Sequence, residues 1–442
     1  MAIKVAFVSL GCPKNQIDTE IMLAHLLSEG FELVPEDINA DAVIINTCGF
    51  IQGAKEDAIE NILDVAWLKE NRSLKAIIVT GCLVERYKEE ILSELPEVDA
   101  IVGCGSIHEI CDAVRAALEK KGYVDIKPVN ELKLGGDRVV TTPSYTAYLK
   151  IAEGCSNCCS YCAIPAIRGK YRSRAMEDIV AEAKVLTDLG AKEIIVVAQD
   201  TTRYGIDLYG EYKLPELLEK LCENKDIKWI RLLYCYPELI SDELVKVMAE
   251  NEQIVNYIDM PIQHINDDIL SKMNRRGGSE AIITAVKKLR SAMPDIVIRS
   301  TVICGFPTET RAQFNELCEF LAKTKFERLG AFAYSAEEGT KAASMDGQLS
   351  EKEKTRRADI IMDKQQQIVE EYNTSRVDTV IDVLCEGYDN ANKIYFGRSA
   401  ADAPDIDAKV YFKSKTRRIS DGEIIKVKIT DTLDLDLLGE TV

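Results

Sequence analysis

Cys155, Cys159 and Cys162 lie in the segment GCSNCCSYC, separated by three residues and then by two. Thiolates are the preferred protein ligands of iron–sulfur clusters, and a short loop carrying three of them can hold three irons of a cubane while the fourth stays open. Four zinc thiolates from Cys155, Cys158, Cys159 and Cys162 are the competing arrangement. Adjacent cysteines leave the backbone in different directions, so an ion that needs both Cys158 and Cys159 is strained.

A second set is spread along the chain. Cys12, Cys48 and Cys82 stand in SLGCPKN, INTCGF and VTGCLVE, each a few residues beyond an apolar run. If those runs are strands of one parallel sheet, their carboxyl ends share an edge and the three thiols converge there. One iron would again stay open, where a labile sulfur ligand can sit. Buried free cysteines are also ordinary at strand ends, and Cys104, in GCG after a fourth run, is not set apart by geometry alone. Cys111, Cys222, Cys235, Cys304, Cys318 and Cys385 sit in helical or strand patterns and read as core.

The elements that must position these thiols follow from hydrophobic periodicity. Val5–Ser9, Ala42–Asn46, Ala76–Thr80 and Ala100–Val102 are apolar runs, each followed by a helical pattern, which predicts a parallel α/β sheet over residues 1–120. Residues 121–146 lose the rhythm and read as a linker. Six further strands, at Tyr148–Ile151, Ile194–Ala198, Trp229–Tyr234, Tyr257–Met260, Ile296–Ile303 and Leu329–Tyr334, alternate with helices and predict a (βα)6 partial barrel over 147–349. A connecting helix at 350–375 and a small all-β domain at 376–442 complete an α/β multidomain chain.

Composition sets the outer limits. Among 442 residues, 46% are hydrophobic and 29% charged, no apolar run is long enough to span a bilayer, and the start MAIKVAFVSLGCPKN has no secretory pattern. A cytoplasmic protein without membrane contact is expected, and its fourteen cysteines then argue for metal or redox use. The net charge of −18 makes a basic partner a better first expectation than nucleic acid, whose binding remains secondary. Of three histidines, His25 and His108 fall in helical patterns, while His264 follows the fourth barrel strand.

The triplet Cys155–Cys162 with its barrel resembles the radical S-adenosylmethionine superfamily, in which the cofactor's amino and carboxylate groups fill the open iron position. Across nearly the whole chain, the two open sites and the three-part architecture resemble the methylthiotransferase family. CSNCCSYCAIPAIRGKYRSR from Cys155 to Arg174 is similar to the family hallmark, YSAEEGT from Tyr334 resembles its last barrel loop, and the tail resembles a TRAM domain.

That resemblance implies two 4Fe–4S clusters, on Cys12, Cys48 and Cys82 and on Cys155, Cys159 and Cys162, with S-adenosylmethionine bound at the second. Segments at barrel strand ends look like the cofactor pocket: Gln199 and Asp200, Arg299 and Ser300, and VICGFPTE with Gly305 and Glu309. One branch of the family modifies adenosine in transfer RNA and the other an aspartate of small ribosomal subunit protein twelve. CPKN after Gly11, MPIQH and FGRSAADAPDID look like the second branch.

The tail agrees, with ten Lys/Arg against thirteen Asp/Glu from Arg376 onward, which suits a basic ribosomal protein met through the TRAM domain, with Asp402, Asp405 and Asp407 expected on that acidic surface unless they only solubilise their loop. Lys413, Lys415, Arg417 and Arg418 form a local basic cluster open to RNA. An electron donor such as flavodoxin or ferredoxin is implied. The rival readings are the transfer-RNA enzyme and, from another class, a non-catalytic iron–sulfur carrier.

Overall fold

The computed structural model describes all residues except 1, 36–39, 89 and 415–416, so Lys415 of the basic cluster lies outside the described residues. The first sheet holds β1 (Lys4–Ser9), β2 (Glu32–Leu33), β3 (Ala42–Thr47), β4 (Ala76–Gly81), β5 (Ala100–Val102) and β6 (Tyr123–Asp125). All its pairs are parallel, in the order β2-β1-β3-β4-β5-β6. The runs AVIINT of β3 and AIIVTG of β4 are buried at every position, as strands covered by helices on both faces must be. The winding direction reverses between β1 and β3, which opens a crevice at their carboxyl ends.

Two strands escape the periodicity. β2 has only two residues, and β6 lies in the stretch that reads as a linker. The rest of that stretch is a strap, because Glu20 accepts from Arg138 Nη1 at 3.0 Å and from the Thr141 amide at 2.8 Å.

The second unit contains β7 (Thr146–Lys150), the short pair β8 (Ala152–Glu153) and β9 (Arg172–Ser173), then β10 (Glu193–Val197), β11 (Trp229–Leu232), β12 (Ile254–Asp259), β13 (Val297–Cys304) and β14 (Arg328–Ala333). Its six-stranded sheet is parallel and runs β7-β10-β11-β12-β13-β14 in chain order, a (βα)6 partial barrel. Helix Glu351–Arg376 starts at the Ser350 cap, packs on β13 and β14 and leads into the last unit. There β15 (Val380–Asp389), β16 (Ile394–Ser399), β17 (Val410–Lys413), β18 (Ile424–Leu433) and β19 (Asp436–Thr441) close a small barrel. Among the described residues no helix is long and apolar enough to cross a membrane.

The loop between β16 and β17 corrects one expectation. Asp402 and Asp407 do not offer charge to a basic partner; they are buried in the amino-end mouth of the partial barrel. Asp402 accepts from Arg328 at 2.7 Å and Asp407 from the Tyr257 hydroxyl at 2.6 Å, while Arg398 donates to Glu193 at 2.6 Å. A desolvated carboxylate needs such partners, so of the three aspartates in this loop only Asp405 is exposed. The plug leaves the carboxyl ends of the barrel strands free.

Candidate metal centre

The loop after β8 is shaped for its cysteines. At Gly154 φ is +74° and a Cβ would stand 2.2 Å from the Lys170 carbonyl, so only glycine fits. Cys158 has φ of +53°, and this turn leaves Cys158 exposed while Cys155 and Cys159 are buried and Cys162 half-buried. Asn157 braces the loop, donating to Asp200 at 2.8 Å and accepting from Arg203 at 2.7 Å. Burial pushes the Cys155 thiol up to about 11, and burial with the adjacent Cys159 pushes Cys162 up as well. Tyr236, beyond β11, brings its hydroxyl 4.0 Å from Cys159 Sγ.

The other triad forms at the edge of the first sheet, beside the reversal between β1 and β3. Cys12 caps helix Pro13–Ser28, Cys48 follows β3 directly, and Cys82 opens helix Cys82–Tyr87. Two glycines allow the approach: a Cβ on Gly11 would lie 3.0 Å from Cys48 Cβ, and one on Gly49 would lie 2.8 Å from the Leu83 backbone. Burial raises Cys48 to about 11, with Cys82 and Cys12 adding to the rise. Cys82 is instead lowered, first by a hydrogen bond with the Cys104 thiol and then by Arg168, whose Nη2 donates to Cys82 Sγ at 3.3 Å. Cys104 therefore touches the triad through Cys82, and its own thiol is raised.

A buried polar chain joins the two triads. Arg168, five residues past Ala163 in the barrel's cysteine segment, also donates to Asn15 at 2.8 Å and pairs with Asp18. Asp18 pairs with Lys150 at 2.6 Å, and Lys150 with Glu153 at 2.8 Å, immediately before Gly154. From the other side, Lys14 Nζ stands 3.3 Å over the ring of Tyr234, two residues before Tyr236. Glu337, in the last barrel loop, clamps the units by accepting from the Gln52 amide, Lys55 and Arg86 at 2.9, 3.2 and 2.8 Å. Beside this clamp a cavity of about 460 Å³ is lined by Cys159, Cys162, Arg86, Tyr87 and Glu338.

The residues expected to line a cofactor pocket divide. Gln199 donates to Glu153 at 3.2 Å and keeps a buried, unpartnered Oε1 near the cysteine loop. Asp200 is occupied by Asn157, Thr202 and Arg203. Arg299 pairs with Asp259 at 2.8 Å and faces Asp407, away from the thiols, and Ser300 donates to the Met260 carbonyl at 2.9 Å. Glu309 accepts from the Gly305 and Phe306 amides and pairs with Arg357 at 3.0 Å. At Gly305 a Cβ would meet Lys354 Cγ at 2.6 Å, so this glycine admits helix Glu351–Arg376.

Arg168, Asp18, Lys150, Lys14 and Tyr234 are absent from the residues that sequence alone singles out as site. A charged residue inside an apolar strand, as Lys150 is in TAYLKIAEG, was the available signal.

Among the described residues, no three or more His, Cys, Asp or Glu side chains close around one point as a single ion requires. A cubane takes each thiolate on a different iron, so its ligands stay apart. Both triads suit it: thiols only, in loops held by glycine and buried polar contacts. The Cys104 thiol and then Arg168 favour the thiolate form at Cys82.

Three family descriptions match the chain in succession: uncharacterized protein family UPF0004 over residues 4–103, the radical SAM superfamily over 149–321 and the TRAM domain over 377–442. The protein named ribosomal protein uS12 methylthiotransferase RimO from Pelotomaculum thermopropionicum is 49% identical, over 100% of both chains. Its namesake from Clostridioides difficile is 46% identical over 100% of this chain and 99% of its own. In fold, the chain is similar to the radical S-adenosylmethionine methyltransferase TsrM from Kitasatospora setae, solved with cobalamin and a [4Fe-4S] cluster. That likeness has a TM-score of 0.56 at 15% identity and covers 76% of this chain and 77% of the other.

Proposed function

The chain belongs to the RimO family of ribosomal protein uS12 methylthiotransferases, and we propose that it places a methylthio group on the β-carbon of an aspartate in uS12. In this reading Cys155, Cys159 and Cys162 hold one 4Fe–4S cluster and Cys12, Cys48 and Cys82 the other. The observation that carries it is the joining of the two triads: Arg168 reaches Cys82 from the barrel segment, and Tyr236 reaches Cys159 from the strand end beneath Lys14.

When bound, the clusters and S-adenosylmethionine supply a 5′-deoxyadenosyl radical, the inserted sulfur and the methyl group. A β-carbon hydrogen has no useful acidity, so radical chemistry is what the reaction needs from them. The protein's own groups position and enclose. Gln199, with its free Oε1, contacts the cofactor; Asp200 and Glu309 hold the loops around it. Glu337 keeps the sheet edge closed over the barrel mouth, and the plug from the small β-barrel seals the opposite end against water.

The outer face of the small barrel meets uS12, and an electron donor of the flavodoxin or ferredoxin type completes a cytoplasmic system. Arg417 of the basic cluster is paired with Glu423, which leaves less of it for RNA.

Two variants test the division of labour. Cys159→Ala should abolish reductive cleavage of S-adenosylmethionine, whereas Cys48→Ala should retain cleavage and lose sulfur insertion. Cleavage persisting in the first variant would sink the assignment. Mass spectrometry of uS12 from cells with and without the gene tests the substrate, and methylthio mass appearing only on transfer-RNA adenosine would reverse it.

A further inference from the structure

Lys14 is only 7% exposed, and its ammonium rests 3.3 Å above the ring of Tyr234. A buried ammonium ordinarily needs a carboxylate. Among the described residues Lys14 has none: it faces Tyr234, through the ring and the phenol group, and the neighbouring Cys12, while the Arg168 guanidinium nearby opposes its charge. The acids on the surrounding elements are committed elsewhere. Asp18 serves Lys150 and Arg168, Glu20 serves Arg138, and Asp259 serves Arg299 and the Tyr234 amide.

The ring beneath is held at a cost. Tyr234 has φ of +61°, unfavourable for a bulky side chain, and is pinned there by Asp259 on its amide and by the Thr201 amide on its carbonyl. The strained residue lies two positions from Tyr236, whose hydroxyl is beside Cys159, while Lys14 lies two positions from Cys12. The ammonium, with a tyrosine but no carboxylate as partner, thus stands on the path from Cys12 to the Tyr236 that reaches Cys159.

We propose that Lys14 receives the carboxylate of the target side chain and thereby holds its β-carbon between the two triads. The inference rests on the aspartate substrate proposed above. A carboxylate bonded directly to the reacting carbon is a short tether, so one charge-assisted contact fixes the carbon to within a bond length of its anchor. It also gives position 14 a chemical role: a cation there selects an anionic target.

The test measures affinity, by fluorescence anisotropy, of the cluster-loaded enzyme for uS12 and for uS12 with its target aspartate changed to asparagine. The unaltered enzyme should prefer the aspartate form by about tenfold or more, the scale of one charge-assisted contact. Lys14→Gln should bind both forms alike, and Lys14→Arg should keep part of the preference. The inference is overturned if the preference survives in Lys14→Gln. It is equally overturned if that variant changes only the paramagnetic resonance signal of the sheet-edge cluster, because Lys14 would then merely balance cluster charge. Should Lys14→Gln fail to fold, the unaltered enzyme decides: methylthiolating uS12 while binding both forms equally refutes the role of Lys14. Failure to methylthiolate uS12 at all refutes the substrate, and the inference falls with it.

Discussion

Arg168 donates from Nη2 to Cys82 Sγ at 3.3 Å, so a side chain of the barrel's cysteine segment touches a thiol of the other triad. The same guanidinium serves Asn15 and Asp18 and is 2% exposed. A methionine in its place would leave Asp18 short of a partner and Cys82 with the Cys104 thiol alone, at a cost of about 3–5 kcal/mol for breaking a buried pair. Arg168→Met should lower the melting temperature and reduce bound iron toward that of one cluster, with S-adenosylmethionine cleavage retained. Full iron content would show that the contact is dispensable for cluster assembly.

Which of these features sequence discloses depends on how local their causes are. The strands β1, β3, β4 and β5 and all six of the barrel were legible because burial on both faces writes itself as apolar runs. The thiols were legible by type and by their distance from those runs. Arg168 with Asp18 was not, because 150 positions separate the partners and nothing in either segment names the other. Asp402 and Asp407 misled for the same reason: acidic residues in a loop look like surface until Arg328 and Tyr257 are seen opposite them. Gly305 shows the subtler limit, since a glycine signals close approach without saying whether to a ligand or, as here, to Lys354.

Glu193 is the hub of the plug. Burial alone would raise its carboxyl, but Arg398 and Arg231 overcome that and hold it at about 2. Glu193→Gln keeps the shape and removes the charge, leaving two buried guanidiniums short of an anion, again a loss of about 3–5 kcal/mol. The melting temperature should fall, and limited proteolysis should cut between β16 and β17 sooner. An unchanged cleavage rate would show that other contacts hold the plug.

Gly305→Ala separates packing from ligand approach. A φ of +75° costs a non-glycine residue about 1–2 kcal/mol, and the new methyl would also press on Lys354. Stability should drop while the affinity for S-adenosylmethionine, measured by calorimetry on the cluster-loaded protein, stays within error. A selective loss of cofactor affinity would show that the glycine also lines the binding pocket.

His264 supplies a pH dependence whose sign follows from its burial. It is fully enclosed after β12; Nδ1 accepts from the Asn266 amide, and burial, aided by Arg357, lowers its basicity to about 4. The ring is therefore neutral in the folded protein, whereas an unfolded chain takes up a proton near the ordinary value of about 6.5. Above that value the group favours neither state. As pH falls from about 6.5 toward about 4, the unfolded chain gains protons that the folded one refuses, and up to about 3 kcal/mol of stability is lost. Melting temperatures compared at about pH 7.5 and pH 5 should show a larger drop for the unaltered protein than for His264→Gln, which cannot titrate. Equal drops would mean that His264 protonates in place, with the fold adjusting around the charge.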